Sequence, residues 1–375
     1  MVFNGSPNGL NFRLYGDTLE IVDSYKYLGI TLTSKYVTNL FRIHFSDIVE
    51  RSKLKASVIR RHGFHEDGLR ISTAIRLYKL IIRPLLEYCA QSLFYTRYNK
   101  AAQSTVANDL AKELEHFQTQ TLKTLINCPR STSPSIVRLF CGVEPLACRL
   151  EMLKLRYFWK VLNGPKENIT YKILSHRREN FSSFNIGFAH EAFNICSKYN
   201  LINLWNEIAI PSGILNRIAI SRAIKPLRRI KSTIITQNLQ NDLKIGRNKL
   251  CTFASLFLSS PVAYQKNYHL IEPFCQTTCF ASPKGRKHFI KAILHPCSFN
   301  ENCEKCGQQY KDKLNHYLTS CPRTSGYRKE LLLKLTLYNF PKDRSATVKN
   351  YLLNAAFSNS TWKECLVNFL LDTDF

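Results

Sequence analysis

No run of 18 apolar residues occurs in the 375-residue chain, which leaves no candidate for a membrane-spanning helix. The opening segment, MVFNGSPNGLNFRLYGD, has neither a basic start nor a long apolar stretch, so no secretory signal is read there. The expected compartment is nuclear or cytoplasmic, not secreted. In such a reducing setting the 13 cysteines read as buried thiols or metal ligands rather than disulfides. The sequons at Asn168, Asn180 and Asn359 then have no consequence. The chain has no glycine-rich phosphate loop, no GxSxG and no HExxH. It contains no adjacent pair of aspartates, so the usual two-metal polymerase site cannot be built from it. The Pro-Asp…Glu/Asp-x-Lys pattern of nucleases is missing as well. Asp372-x-Asp374 lies too near the frayed terminus to read as a site. His62 and His65, near Glu66 and Asp67 and next to Gly63 and Gly68, read as a polar loop.

Acidic residues are scarce: 27 Asp+Glu face 53 Lys+Arg, a net charge of +26. An excess of that size points to a polyanionic partner, RNA or DNA ahead of a membrane surface. Between Glu207 and Asp242 no acid occurs at all. Arg217, Arg222, Lys225, Arg228, Arg229 and Lys231 fall in that gap. Like charges on one helix repel each other, and a phosphate backbone relieves that repulsion. The hydrophobic content of 45% is that of a folded chain, and the length suits two or three domains.

The first 35 residues read as β. Phe12 and Leu14 alternate with polar neighbours, Gly16-Asp17 suggests a turn, and Leu19 and Ile21 resume the alternation. The run Tyr25-Lys26-Tyr27-Leu28-Gly29-Ile30-Thr31-Leu32 reads as a strand whose glycine admits the close approach of another backbone. From about residue 40 the apolar spacing becomes helical, through Leu69, Ile75, Tyr78, Ile82, Leu85, Tyr88 and Leu93, with Pro84 expected to kink or split the helix. Further helical patterns span 110–125 and 150–162, punctuated by Pro129, Pro134 and Pro145. Residues 163–190 read as irregular, 200–245 as a basic helical segment, and the last third as mixed, ending in two short helices.

The sharpest chemical pattern is CEKCGQQYKDKLNHYLTSC, which sets Cys303-x2-Cys306-x9-His316-x4-Cys321. Two cysteines two residues apart grip one metal from a tight turn, and Gly307 supplies the backbone freedom the turn needs. His316 and Cys321 close a tetrahedron, so the expected site is a structural zinc. Lys305, Lys311 and Lys313 around it suit nucleic-acid contact. Cys275-x3-Cys279 and His295-x-Cys297 are alternative ligands or a second site. Cys89, Cys128, Cys141, Cys148, Cys196, Cys251 and Cys365 sit among apolar neighbours and read as core.

Taken in order, MVFNG, LYGDTLEIVDSYKYLGITL, LYKLIIRPLLEYC, CGVEPLACRLEMLKLRYFWKVLNGP and the Cys/His motif resemble the C-terminal half of LINE-type (non-LTR) retrotransposon reverse transcriptases over about residues 1–330. The resemblance implies a mainly α fold with a short N-terminal β-hairpin region, then a helical thumb-like bundle and a small zinc-stabilised module. It divides the chain into the end of a palm with a primer-contact hairpin (1–35), a thumb-like domain (36–165), a basic linker (166–290), and the zinc module with C-terminal helices (291–375). It assigns primer contact to Tyr25, Lys26, Tyr27, Leu28 and Gly29, while the charge of the acid-free segment independently points to Arg222, Lys225, Arg228 and Arg229 as nucleic-acid contacts. It assigns metal binding to Cys303, Cys306, His316 and Cys321. The family's Ala-Asp-Asp motif would lie upstream of MVFNG, so no catalytic residue carries over. The expected function is that of a nucleic-acid-binding fragment of an RNA-directed DNA polymerase. The alternative is a free-standing zinc-containing nucleic-acid-binding protein.

Overall fold

The computed structural model describes residues 12–33, 42–63, 71–88, 107–180, 188–202, 205, 283–294, 301–310, 312–337 and 360–373. They are mainly helical, with three two-stranded antiparallel hairpins. Among the described residues, no helix is long and apolar enough to cross a membrane. The chain forms two compact units. One comprises Met1–Lys55, Ile81–Phe117 and Pro145–Ile230, and the other Ala56–Leu80, Gln118–Glu144 and Lys231–Phe375. The basic segment with Arg222, Lys225, Arg228 and Arg229 lies outside the described residues, as do Cys89, Cys251, Cys275, Cys279, His295 and Cys297.

The first unit opens with β1 (Arg13–Leu14) paired to β2 (Asp17–Thr18). The turn between them is Tyr15-Gly16, one residue earlier than the alternation suggests, and both residues have positive φ (52° and 93°). Next, β3 (Ser24–Tyr27) pairs with β4 (Ile30–Thr33), with Tyr27 opposite Ile30. Gly29 is therefore not inside a strand. Leu28 (φ 46°) and Gly29 (φ 81°) form a two-residue turn of the left-handed kind, whose twist matches that of the flanking strands. What approaches Gly29 is a side chain rather than a backbone. A Cβ there would lie 3.2 Å from Cε1 of Tyr88, whose hydroxyl donates to the Leu28 carbonyl. Gly29→Ala is therefore expected to destabilise this unit by about 1–2 kcal/mol through the left-handed backbone alone. Thermal unfolding measures it, and a near-UV signal change reports displacement of the Tyr88 ring.

Helix α1 (Arg42–Gly63) buries Phe45, Ile48, Ser52 and Ile59. The helix around Pro84 is interrupted: α2 (Ile71–Leu77) gives way to a π-helical turn (Tyr78–Ile82), then α3 (Arg83–Glu87). Proline lacks an N–H and its ring clashes with the carbonyl four residues back. The wider turn removes that conflict by placing Pro84 in the first turn of a new helix. Glu87 of α3 takes a two-pronged ion pair from Arg149 (2.8 and 3.2 Å) and a third contact from Arg83 (3.2 Å).

Helices α4 (Ala107–Ile126), α5 (Pro134–Cys141) and α6 (Leu146–Leu162) follow. Pro145 cannot cap α6 with its side chain, and Glu115 does so instead, accepting from the amides of Leu146 (2.6 Å) and Ala147 (3.4 Å). Residues 163–190, read above as irregular, hold α7 (Ile169–Glu179) and the start of α8 (Phe188–Lys198). The sequence signal for α7 is weak because only Leu174 of that helix is fully buried. Its start is set by Asn168, whose side chain accepts from the Thr170 amide at 2.8 Å. Asn127, Gly142 and Asn200 end α4, α5 and α8 in the left-handed conformation.

The core around α6 joins Leu155, Phe158 and Trp159 to Leu174, Ala192, Ile195, Cys196, Leu201 and Trp205. Phe158 stacks on Trp205 at 5.2 Å, and Arg178 lies over the same indole at 5.6 Å. Inside this unit lies an ion pair between Lys154 and Glu191, with side chains 2% and 6% exposed. Burial pushes the Lys154 ammonium below its ordinary pKa, and the Glu191 carboxylate opposes that shift.

The second unit ends in α9 (Pro283–Leu294), hairpin β5 (Glu301–Asn302)/β6 (Gln309–Tyr310), α10 (Lys313–Thr319), a 3-10 turn (Pro322–Thr324), α11 (Ser325–Leu337) and α12 (Ser360–Asp372). Phe289, Ile290, Ile293 and Leu294 of α9 and Leu366, Phe369 and Leu370 of α12 are all buried, and α12 packs on both α9 and α11. The Thr132 hydroxyl donates to the carbonyl of Leu294 at 3.0 Å, satisfying the end of α9.

Candidate metal centre

Hairpin β5/β6 and helix α10 bring four side chains to one point. Cys303 and Cys306 occupy the hairpin's tip, where the Gly307 amide donates to the Cys303 carbonyl and the Cys303 amide to the Gln308 carbonyl, both at 2.8 Å. Gly307 (φ 75°) makes that turn possible, and nothing lies within 4 Å of where its Cβ would be, so its role is conformational rather than steric. Asp312, four residues before His316, caps α10 by accepting from the Asn315 amide at 3.0 Å. Cys321 follows just past the helix end, its amide donating to the His316 carbonyl at 2.8 Å.

The ligand atoms of Cys303, Cys306, His316 and Cys321 all lie within 4.8 Å of one another. The Cys303 and Cys321 sulfurs are 3.9 Å apart, and the Cys306 sulfur is 3.3 Å from His316 Nε2. Bonds of about 2.3 Å to sulfur and about 2.0–2.1 Å to nitrogen in a tetrahedron place sulfurs about 3.8 Å apart, and sulfur and nitrogen about 3.5 Å apart. The group is therefore able to hold a metal ion. The other ring nitrogen, Nδ1, lies 3.0 Å from Ser320 Oγ, which orients the imidazole with Nε2 toward the thiols. Tyr310 stacks on the ring at 5.5 Å and 16°, and its own hydroxyl is held by Glu301 at 3.0 Å.

Electrostatics favour the ligating forms of His316 and Cys303, whereas burial and the neighbouring thiols hold the Cys306 thiol above its ordinary value. Burial, then the nearby Arg328 cation, lowers the His316 pKa, so the ring is neutral at pH 7. Burial pushes the Cys303 thiol up. The amides of Lys305 and Cys306 turned toward it, with the neighbouring thiols, outweigh burial and bring it below its ordinary value. By contrast, burial raises Cys128, Cys148 and Cys196 to about 11, which leaves them protonated, inert thiols.

Neither a family model, nor a curated protein, nor a solved structure matches this chain.

The lysines around the centre differ from the expectation. Lys313 is buried: its ammonium pairs with Glu304 at 3.6 Å and lies over the Tyr317 ring at 5.7 Å. It belongs to the packing of the module and does not offer a charge to a ligand. Lys305 is exposed, and Lys311 lies outside the described residues. At the other candidate site, Tyr25, Lys26, Tyr27 and Leu28 are exposed at the β3/β4 tip, Leu28 at 72%, while Gly29 is half-buried against Tyr88. Sequence reading missed Tyr88, Ser320, Thr324 and Arg328 as supports. Only the spacing of Ile82-x-Pro84-x-Leu86-x-Tyr88 gave any signal, for the first of them.

Proposed function

We propose that Cys303, Cys306, His316 and Cys321 hold one structural zinc ion in a nucleic-acid-binding C-terminal part of a LINE-type reverse transcriptase. The observation carrying this reading is the convergence of three cysteines and one histidine at tetrahedral separations. Three soft thiolates with one imidazole favour zinc over hard, oxygen-loving cations. Four protein ligands leave no open position, so the ion serves folding rather than catalysis. The hairpin adds support, since the Tyr-Leu-Gly tip and the Ile-x-Pro-x-Leu-x-Tyr segment, two motifs of the resemblance, touch through Tyr88. Exposed Tyr25 and Tyr27 share one face of β3 and provide rings on which bases can stack, while the +26 net charge draws a phosphate backbone.

The chain is expected to bind RNA or DNA with little sequence preference and a steep loss of affinity with salt. If Arg222, Lys225, Arg228 and Arg229 each meet a phosphate, changing all four to Gln flattens the plot of log affinity against log salt by roughly three units. An anisotropy titration at several salt concentrations measures it. Equal slopes remove the basic segment from the binding surface, and absence of binding by the wild type removes the nucleic-acid reading itself.

A further inference from the structure

Arg328 stands seven residues beyond Cys321, on the first turns of α11. Its Nη1 donates to the carbonyl of Cys321 at 2.6 Å and of Tyr317 at 3.1 Å, and lies 2.9 Å from Thr324 Oγ1. The fully buried Thr324 hydroxyl is placed 2.8 Å from the Tyr317 carbonyl and 3.2 Å from that of Cys321. One guanidinium and one hydroxyl thus hold both the end of α10 and the backbone of the last ligand. Among the described residues no carboxylate pairs with Arg328. Among them its cation faces the carbonyl dipoles of Tyr317 and Cys321 and the Thr324 hydroxyl.

That charge has a counterpart at the metal centre. Three thiolates around a divalent ion sum to one net negative charge, and here the cluster is largely buried. A half-buried cation on the carbonyl of one ligand opposes that excess where water screens poorly. We propose that Arg328 is an outer-sphere positioning residue of the metal centre, clamping Cys321 and balancing the charge of the loaded site, so that metal retention and the seating of α11 depend on each other. This rests on the zinc reading above. The competing role is a plain cap on the end of α10, which stabilises the module equally with and without metal.

The test uses the full chain loaded with zinc and titrated against a chelator of known affinity. Arg328→Gln is expected to weaken zinc binding by about 10–100-fold, as loss of an outer-sphere partner typically does. Arg328→Lys, which keeps the charge but not the fork, should recover part of the loss. Hydrogen exchange supplies a second readout on the wild type alone: removing zinc should strip protection from the α11 amides while leaving α8, in the other unit, unchanged. Unaltered zinc affinity in Arg328→Gln, or α11 protection indifferent to zinc, overturns the proposal while the zinc reading stands. A wild type that binds no zinc overturns both.

Discussion

Cys306→Ser is expected to release the metal, unfold residues 301–324 and loosen α11, while leaving most of the helical content intact. Cys306 is the most exposed of the four ligands, whereas Cys303, His316 and Cys321 are 3%, 5% and 0% exposed. Serine is a poor ligand for a soft ion, and three ligands do not close the tetrahedron. Hairpin β5/β6 has only two residues in each strand, and α10 has seven, too few to stand without support. Apparent binding energies for structural zinc are about 10–16 kcal/mol at pH 7, far above what so small a segment gains from its own packing. Helices α9 and α12 bury their apolar faces together and should survive, so far-UV circular dichroism changes little while exchange protection over 301–324 collapses. Acid should act like the substitution, because protons compete with the metal for three thiolates and for His316. Elemental analysis finding one zinc per chain in both proteins, or none in the wild type, would sink the assignment.

The second large effect concerns Lys154 and Glu191. Removing one partner, as in Lys154→Met, leaves the other charge buried without compensation and should cost about 3–5 kcal/mol. For a unit of this size that lowers the melting temperature by roughly 6–20 °C. Lys154→Met combined with Glu191→Leu should recover most of the loss, because two apolar groups of similar volume need no solvation. The four proteins form a double-mutant cycle, read by thermal unfolding. Additive losses in the double variant would show that the two side chains do not act as a pair.

The contrast between these two sites explains how far the sequence could be read. The four metal ligands lie within 19 residues of chain, and each is placed by a local device: the Gly307 turn, the Asp312 cap, the exit of α10. Local devices leave fixed spacings, so the cluster was legible. Lys154 and Glu191 are 37 residues apart and carry no spacing rule; Lys154 reads simply as one more base in a basic helix. Lys313 misled for the same reason, since only packing against Tyr317 and Glu304 takes it out of solvent. Helix α7 was missed because a helix with a single fully buried residue shows no apolar stripe.

What the sequence determined by itself was the mainly helical class, the break at Pro84 and the identity of four candidate ligands. Each follows from backbone preference or from a period of a few residues. The tertiary structure decided which side chains support those features. It set the Tyr88 hydroxyl on the Leu28 carbonyl across 60 residues of chain, Arg149 on Glu87 across 62, and Thr132 under the end of α9 across 162. It also assembled each compact unit from three separate stretches. Such partners are selected by burial and hydrogen-bond satisfaction in the folded core, and these are properties of neighbours in space rather than along the chain.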